Sequence, residues 1–243
     1  MKKVIVTREK TQGKKTAKLL EKYGLQAVLF PTIKFQQLKV SNHKIKEADI
    51  IIFTSQNGVM YFMKQFSPEI LKGKVIIATG EKTGEKLREY NIRDYLLPER
   101  YDSTGVAQLI KKNEQFRGKK IALIRPLEGV DTAVKMIEDF AQIDIIPVYK
   151  TTINIPENKE EIKKIILSGE IDFIIFSSPS TFINFTKIFP QEWKNLLKKL
   201  KIGVIGRTTA QALEEKGINP DIIPEKFTME ELVKKIKQQA DSL

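Results

Sequence analysis

The sequence predicts an α/β protein made of two doubly wound parallel-sheet domains. Three observations predict it. Short apolar runs alternate with helical patterns along the whole chain, which is the order that gives parallel sheets covered by helices on both faces. The most apolar runs, Ile50–Phe53 and Phe173–Phe176, show no polar alternation, as expected of strands buried on both sides. The chain also repeats itself in the order A, B, A′, B′. Lys3-Val4-Ile5-Val6-Thr7-Arg8 returns as Lys120-Ile121-Ala122-Leu123-Ile124-Arg125 at an offset of 117. Asp49–Phe66 matches Asp172–Phe189 at 8 of 18 positions, at an offset of 123. Gly80, Thr83, Leu87, Glu89 and Ile92 match Gly206, Thr209, Leu213, Glu215 and Ile218 at an offset of 126.

The elements follow in order. Lys3–Thr7 reads as a strand. Thr11–Tyr23 is a helix with Ala17, Leu19, Leu20 and Tyr23 on its buried side, and Gly24 ends it. Ala27–Phe30 is a strand stopped by Pro31, and residues 32–40 are extended. Strand Asp49–Ser55 leads to a helix from Asn57 to Phe66. Strand Lys74–Thr79 leads through Gly80 to a helix from Thr83 to Tyr90. Tyr95–Leu97 is a strand ending at Pro98, and Asp102 or Ser103 caps a helix that runs to Lys112. In the second half, strand Lys120–Arg125 precedes a helix from about Asp131 to Ala141. Strand Ile143–Tyr149 carries Pro147, the counterpart of Pro31, and residues 150–156 are again extended. A helix from Pro156 or Glu157 to Leu167 leads to strand Asp172–Ser178. Strand 202–205, helix 208–216, strand 221–223 with Pro224, and helix 228–239 close the chain. Two sheets of four or five strands fit the length, and ligands of such sheets sit beyond the carboxyl ends of the strands.

Composition narrows the chemistry. The chain has 243 residues, no cysteine and one histidine, His43, which excludes disulfides and thiolate metal sites and leaves little for a zinc site or a Ser-His triad. No run approaches the ~18 apolar residues of a membrane span, and the N-terminal apolar run is too short for a signal. A cytoplasmic protein that does not engage membranes is expected. The formal charge of +12 suits an anionic partner, although Lys-rich helix faces such as Lys163-Lys164 and Lys234-Lys235 read as solvated surface. Gly13-Lys14-Lys15-Thr16 imitates a phosphate loop, but Arg8 stands where that motif needs its first glycine. His43 reads as a surface residue and Trp193 as packing.

The motifs that remain are turns at strand ends. They are Ser55-Gln56-Asn57-Gly58, Gly80 with Thr83, Ser178-Pro179-Ser180, and Gly206 with Thr208 and Thr209. Each is explained singly by helix capping. Together, four such turns at one end of two sheets suggest a lined cleft that binds an anion through hydroxyls and first-turn amides. Arg8, at the end of the opening strand and matched by Arg125, joins the candidate binding residues. Tyr149 aligns with Ile33, so the repeat does not require its hydroxyl, although tyrosine is also simply a good strand residue.

Several stretches resemble one family, the uroporphyrinogen-III synthases. They are Asp49–Val59, Pro147-Val148-Tyr149-Lys150-Thr151, Phe176-Ser177-Ser178-Pro179-Ser180, Ile205-Gly206-Arg207-Thr208-Thr209-Ala210 and Ile223-Pro224-Glu225-Lys226-Phe227-Thr228. The chain departs from the family pattern at Arg207, Pro126 and Asp131. The resemblance implies two α/β domains joined by a two-stranded connection, with the active site in the inter-domain cleft. Residues 1–34 plus 151–243 would form the first domain, 37–148 the inserted second, and 31–38 and 147–156 the connecting strands. The implied reaction is cyclisation of hydroxymethylbilane, a linear tetrapyrrole octacarboxylate, with inversion of the last ring through a spiro intermediate and loss of water. The resemblance would make the protein a lyase of tetrapyrrole and heme biosynthesis. No metal or cofactor is implied. Tyr149 would be catalytic. Thr83, Ser178, Lys201, Thr208 and Thr209 would bind substrate, joined by Arg8, Ser55, Asn57 and Ser180 from the turns. The expected partner is the small-molecule substrate. The protein would be a monomer, with at most a transient contact with the enzyme that makes the bilane. Two alternatives stay open: a two-domain binding protein for an anionic metabolite, and a nucleic-acid binder, for which no motif speaks.

Overall fold

The computed structural model describes residues 1–129 and 132–242. In chain order the elements are β1 (Lys3–Val6), α1 (Lys10–Lys22), β2 (Gln26–Leu29), β3 (Ile33–Gln37), α2 (His43–Glu47), β4 (Ile50–Phe53), α3 (Gln56–Met63), β5 (Val75–Ala78), α4 (Glu81–Arg88) and α5 (Ser103–Lys112). They continue with β6 (Lys120–Pro126), α6 (Thr132–Ile137), β7 (Gln142–Ile153), α7 (Lys159–Leu167), β8 (Phe173–Phe176), α8 (Pro179–Ile188), α9 (Trp193–Leu197), β9 (Lys201–Val204), α10 (Arg207–Glu214) and α11 (Met229–Asp241). The chain divides into two compact units, one of residues 1–34 and 152–243 and the other of residues 35–151.

The first unit holds a four-stranded sheet in the order β2-β1-β8-β9, with every neighbouring pair parallel. Its apolar strands bury both faces. Val4, Val6, Phe173 and Ile175 point to the side covered by Leu20 of α1 and Leu232, Val233 and Ile236 of α11. Ile5, Ile174, Phe176, Ile202 and Val204 point to the side covered by Phe182 and Phe185 of α8 and Leu213 of α10. The period of two is present, but both phases are apolar, so no polar alternation shows.

The second unit holds a five-stranded sheet in the order β3-β7-β6-β4-β5, parallel at β7-β6, β6-β4 and β4-β5. Ile51, Phe53, Ala78 and Ile124 pack against Val59 and Phe62 of α3 and Leu87 of α4. Ile50, Ile52, Ile121 and Leu123 pack against Val106 and Ile110 of α5 and Ile137 of α6. One polar device is used twice. Asp172 Oδ2 accepts the Lys3 N–H at 2.8 Å, and its repeat partner Asp49 accepts the Lys120 N–H at 3.0 Å, so each aspartate pins the start of the neighbouring strand.

Some expected elements differ. Residues 95–97 and 221–223 do not form full strands: each makes one bridge, Leu96 to Ile77 and Ile222 to Gly203. Both runs are followed by proline, which removes a backbone donor. The strand expected over Ile143–Tyr149 and the extended segment after it form one strand, β7. His43 opens the short helix α2, where its ring lies 3.2 Å from Glu47, so this connector is not wholly irregular. The helix expected from Asp131 is observed from Thr132, and Asp131 itself lies outside the described residues. No helix among the described residues is long and apolar enough to cross a membrane.

Candidate active site

In the second unit, Tyr149 stands opposite Pro126 at the carboxyl end of β6, just past a register shift at Arg125/Pro126. Its ring stacks on Tyr61 at 5.1 Å and meets Phe35 edge-on at 5.4 Å, which fixes its plane. The side chain is 5% exposed. Burial pushes the pKa of the phenol up, hydrogen bonds with Ser55 and Asn57 draw it partly back, and the Glu128 carboxylate adds to the rise. The Tyr149 hydroxyl lies 3.4 Å from Ser55 Oγ. Ser55 is also the N-cap of α3, accepting the Gly58 N–H at 3.0 Å. That bond occupies a lone pair, so the Ser55 proton remains available for the Tyr149 oxygen.

A cavity of about 300 Å³ opens beside this pair, and its lining includes Thr54, Ser55, Thr79, Tyr101, Arg125 and Tyr149. A larger hollow of about 820 Å³ lies on the outer side of α5 and α6, around Gln108, Lys111, Lys135 and Asp139. It lies away from the strand ends and their hydroxyls, so size does not mark the site here. Arg125 is 7% exposed, which is unusual for a cation. The sequence reading does not single it out as a site residue, although its match to Arg8 is the available signal. It does not single out Tyr101 either.

In the first unit, Arg8 follows β1 and turns its guanidinium onto α1. Nη2 donates to Gln12 Oε1 at 3.0 Å and Nη1 to Thr16 Oγ1 at 3.3 Å, while the buried Nε has no hydrogen-bond partner. Burial lowers its pKa, and Glu9 opposes that shift. A cavity of about 510 Å³ is lined by Arg8, Lys10, Pro31, Asn154 and neighbours. Beneath the strand ends, Thr7 donates to the Ile175 carbonyl at 2.6 Å and Thr32 to the Thr181 carbonyl at 2.9 Å, so these buried hydroxyls are satisfied.

The four turns prove to be of two kinds. Ser55 caps α3. At α8 the Ser178 N–H donates to Thr181 Oγ1 at 3.3 Å, and Ser178 Oγ lies 2.9 Å from Ser180 Oγ, so these serines are occupied locally. α4 and α10 begin instead at Gly80 and Gly206, with no side-chain cap. Their third residues, Thr83 and Thr209, are 6% and 3% exposed, and among the described residues neither hydroxyl is hydrogen-bonded or sealed from solvent. Thr208 beside them is exposed, and Asn57 in the first turn of α3 is half-buried. Bare first-turn amides with a hydroxyl alongside can hold a carboxylate.

Lys201 does not join this group. It is the first residue of β9, at the amino end of the strand, where it pairs with Asp221 at 3.1 Å. The turn reading places donors at carboxyl ends, and Lys201 sits at the opposite end of its own sheet. No group of three or more His, Cys, Asp or Glu side chains placed to hold a metal occurs among the described residues.

Comparison with known proteins adds independent information. Residues 14–234 match the family model described as uroporphyrinogen-III synthase HemD. The chain is similar to a uroporphyrinogen-III synthase of Chlorobaculum parvum, with 33% identity over 93% of this chain and 94% of that protein. Among solved structures, its fold is similar to a uroporphyrinogen-III synthetase from Helicobacter pylori, with a TM-score of 0.68, 19% identity, and 98% and 100% of the two chains covered. It is also similar to a mutant uroporphyrinogen III synthase from Thermus thermophilus, with a TM-score of 0.64, 18% identity and both chains covered in full.

Proposed function

The chain belongs to the uroporphyrinogen-III synthase family, and from that premise we propose that it cyclises hydroxymethylbilane to uroporphyrinogen III, with Tyr149 as the proton donor. The observation that carries the assignment of Tyr149 is its buried phenol against Ser55 Oγ, on the wall of a cavity at the strand ends.

The steps balance without an external reagent. The pyrrole nitrogen pushes electrons toward the terminal hydroxymethyl carbon, the C–O bond breaks, and the Tyr149 proton leaves with the hydroxyl as water. Ser55 donates to the phenolate left behind and stabilises it. The azafulvene is attacked by the substituted carbon of the last ring, giving a spiro intermediate. The bond from the spiro carbon to the methylene of the preceding ring then breaks, leaving an azafulvene on that ring. The unsubstituted α carbon of the last ring, across its nitrogen, attacks this methylene, which inverts the ring. Loss of a ring proton restores aromaticity, and the phenolate is the nearby base. An unassisted azafulvene closes at the unsubstituted carbon and gives the type I isomer, so the protein's main contribution is positioning.

The carboxylate arms need donors. Within each unit, the bare first turn of α4 or α10 with Thr83, or with Thr208 and Thr209, serves this role, and Arg8 adds charge in the first unit. Asn57, beside Tyr149, and the one hydroxyl proton left over by the Ser178–Ser180 pair serve as secondary donors. Lys201 is left out of the binding set because of its place at the amino end of β9.

The test is purified protein supplied with enzymatically generated bilane, followed by separation of the isomers. Type III product above the spontaneous type I background is expected. Type I alone, at the uncatalysed rate, would defeat the proposal and return the protein to a binder of anionic metabolites.

A further inference from the structure

The offset of 126 that relates Gly80 to Gly206 extends along the chain. Pro98-Glu99-Arg100-Tyr101-Asp102 matches Pro224-Glu225-Lys226-Phe227-Thr228. In both units this stretch follows the single bridge at a sheet edge and ends on the N-cap of the next helix. Asp102 Oδ1 accepts the Gly105 N–H at 2.8 Å, and Thr228 Oγ1 accepts the Glu231 N–H at 3.2 Å. The residue before the cap is aromatic in both, and each aromatic is 56% exposed.

Each ring leans on a bare helix start. A Cβ added to Gly80 would touch Tyr101 Cγ at 3.4 Å, and one added to Gly206 would crowd Phe227 Cγ at 3.2 Å. Both glycines have extended backbone, φ −176° and −174°, which any residue adopts. At Gly206 the missing Cβ therefore serves the close approach of the ring, whereas at Gly80 the Tyr101 ring stands at ordinary contact distance. A serine at either position would supply the usual cap and cover the amides, and at Gly206 it would also press on the ring.

A lone exposed aromatic is ordinary. Here two aromatics share a repeat position and a degree of exposure, and each stands beside uncapped amides and a nearly buried, unbonded threonine hydroxyl, Thr83 or Thr209. A flat apolar face next to anion donors complements a flat, electron-rich ring that carries carboxylate arms. Tyr101 additionally lines the cavity that holds Tyr149, and its hydroxyl is tied to Glu81 Oε1 at 3.0 Å, which steadies the ring. Phe227 has no hydroxyl, so the shared feature is the ring face.

We propose that Tyr101 and Phe227 are substrate-contact residues, each presenting its ring to a carboxylate-bearing pyrrole of the bilane while the adjacent helix start takes a carboxylate of that pyrrole. This inference rests on the proposed cyclase reading. Its test compares the wild type with Tyr101→Leu, Phe227→Leu, Tyr101→Phe and Phe227→Tyr, by bilane kinetics, isomer separation and thermal melting. Each Leu change is expected to raise KM roughly threefold to tenfold, the worth of one aromatic pair, and to increase the type I share. The aromatic swaps should stay near wild type. If a Leu variant also melts early, protection against melting by added type III product replaces KM: protection lost with Leu and kept with the aromatic swap supports the contact. Unchanged KM and isomer ratio in both Leu variants, equal protection in all variants, or aromatic swaps as impaired as Leu would overturn it. Failure of the wild type to turn over bilane would show before any variant is made, and would remove the cyclase reading and this inference together.

Discussion

The hydroxyl of Tyr149 lies 3.4 Å from that of Ser55, and Ser55 in turn accepts the Gly58 N–H at the start of α3. One serine therefore both begins a helix and solvates a phenol that is otherwise buried against Tyr61 and Phe35. The pair links the packing of the second unit to the proposed chemistry.

Tyr149→Phe keeps the ring stack and removes the proton. Turnover is expected to fall by at least ~10²-fold, the lower end for loss of a general acid. The melting temperature should hold, and type I isomer should accumulate as bilane closes unaided. Near-wild-type rate with type III product would move proton donation to water or to the substrate's own carboxyl groups.

The pH dependence has a defined sign. A general acid works while protonated, and burial raises the Tyr149 pKa above the usual value near ~10. The rate should therefore stay level through neutral pH and decline only above the ordinary phenol range. The same shift bears on stability. A folded pKa above the unfolded one contributes stability that is fully present below the unfolded pKa and is lost as pH rises through the folded pKa. Melts across that alkaline window should show the wild type losing more stability than Tyr149→Phe.

Thr83 and Thr209 separate binding from capping. Thr→Val keeps the shape and deletes a hydroxyl that has no hydrogen-bond partner among the described residues, so melting should change little while turnover falls. Ser55→Ala, by contrast, removes a true cap and should cost about 1 kcal/mol of stability. Full activity in both Thr→Val variants would leave these two residues as packing alone.

The unit of residues 35–151 contains its own two-faced core around β4, β5, β6 and β7. Expressed alone, it should protect its central-strand amides in hydrogen exchange. Residues 1–112 lack β6 and β7, and should not. The reverse result would refute this division of the chain.

Activity is expected to survive exhaustive chelation and dialysis. A chain with no cysteine and one exposed histidine offers poor ligands for a tightly held transition metal. Loss of turnover restored by a specific ion would overturn this.

The sequence alone determined the central strands and the main helices that follow them, because local periodicity and turn residues carry these. It did not determine β3, α2 or α9, nor the reduction of 95–97 and 221–223 to single bridges. It also determined the A, B, A′, B′ repeat and marked Tyr149 as the position where the two halves differ in chemistry. Tertiary structure decided which strands become neighbours. Lys3 meets Asp172 and Lys120 meets Asp49 across long stretches of chain, and a strand that is apolar on both faces says nothing local about its partner. Tertiary structure also divided four similar turns into capped and bare ones, since a cap depends on where a hydroxyl finds its partner. It brought Arg125 and Tyr101 into the cavity with Tyr149. The raised pKa of Tyr149 follows from burial among residues distant in sequence, and its partner Ser55 lies 94 positions away. Desolvation and hydrogen bonding of that kind exist only once the chain has closed on itself.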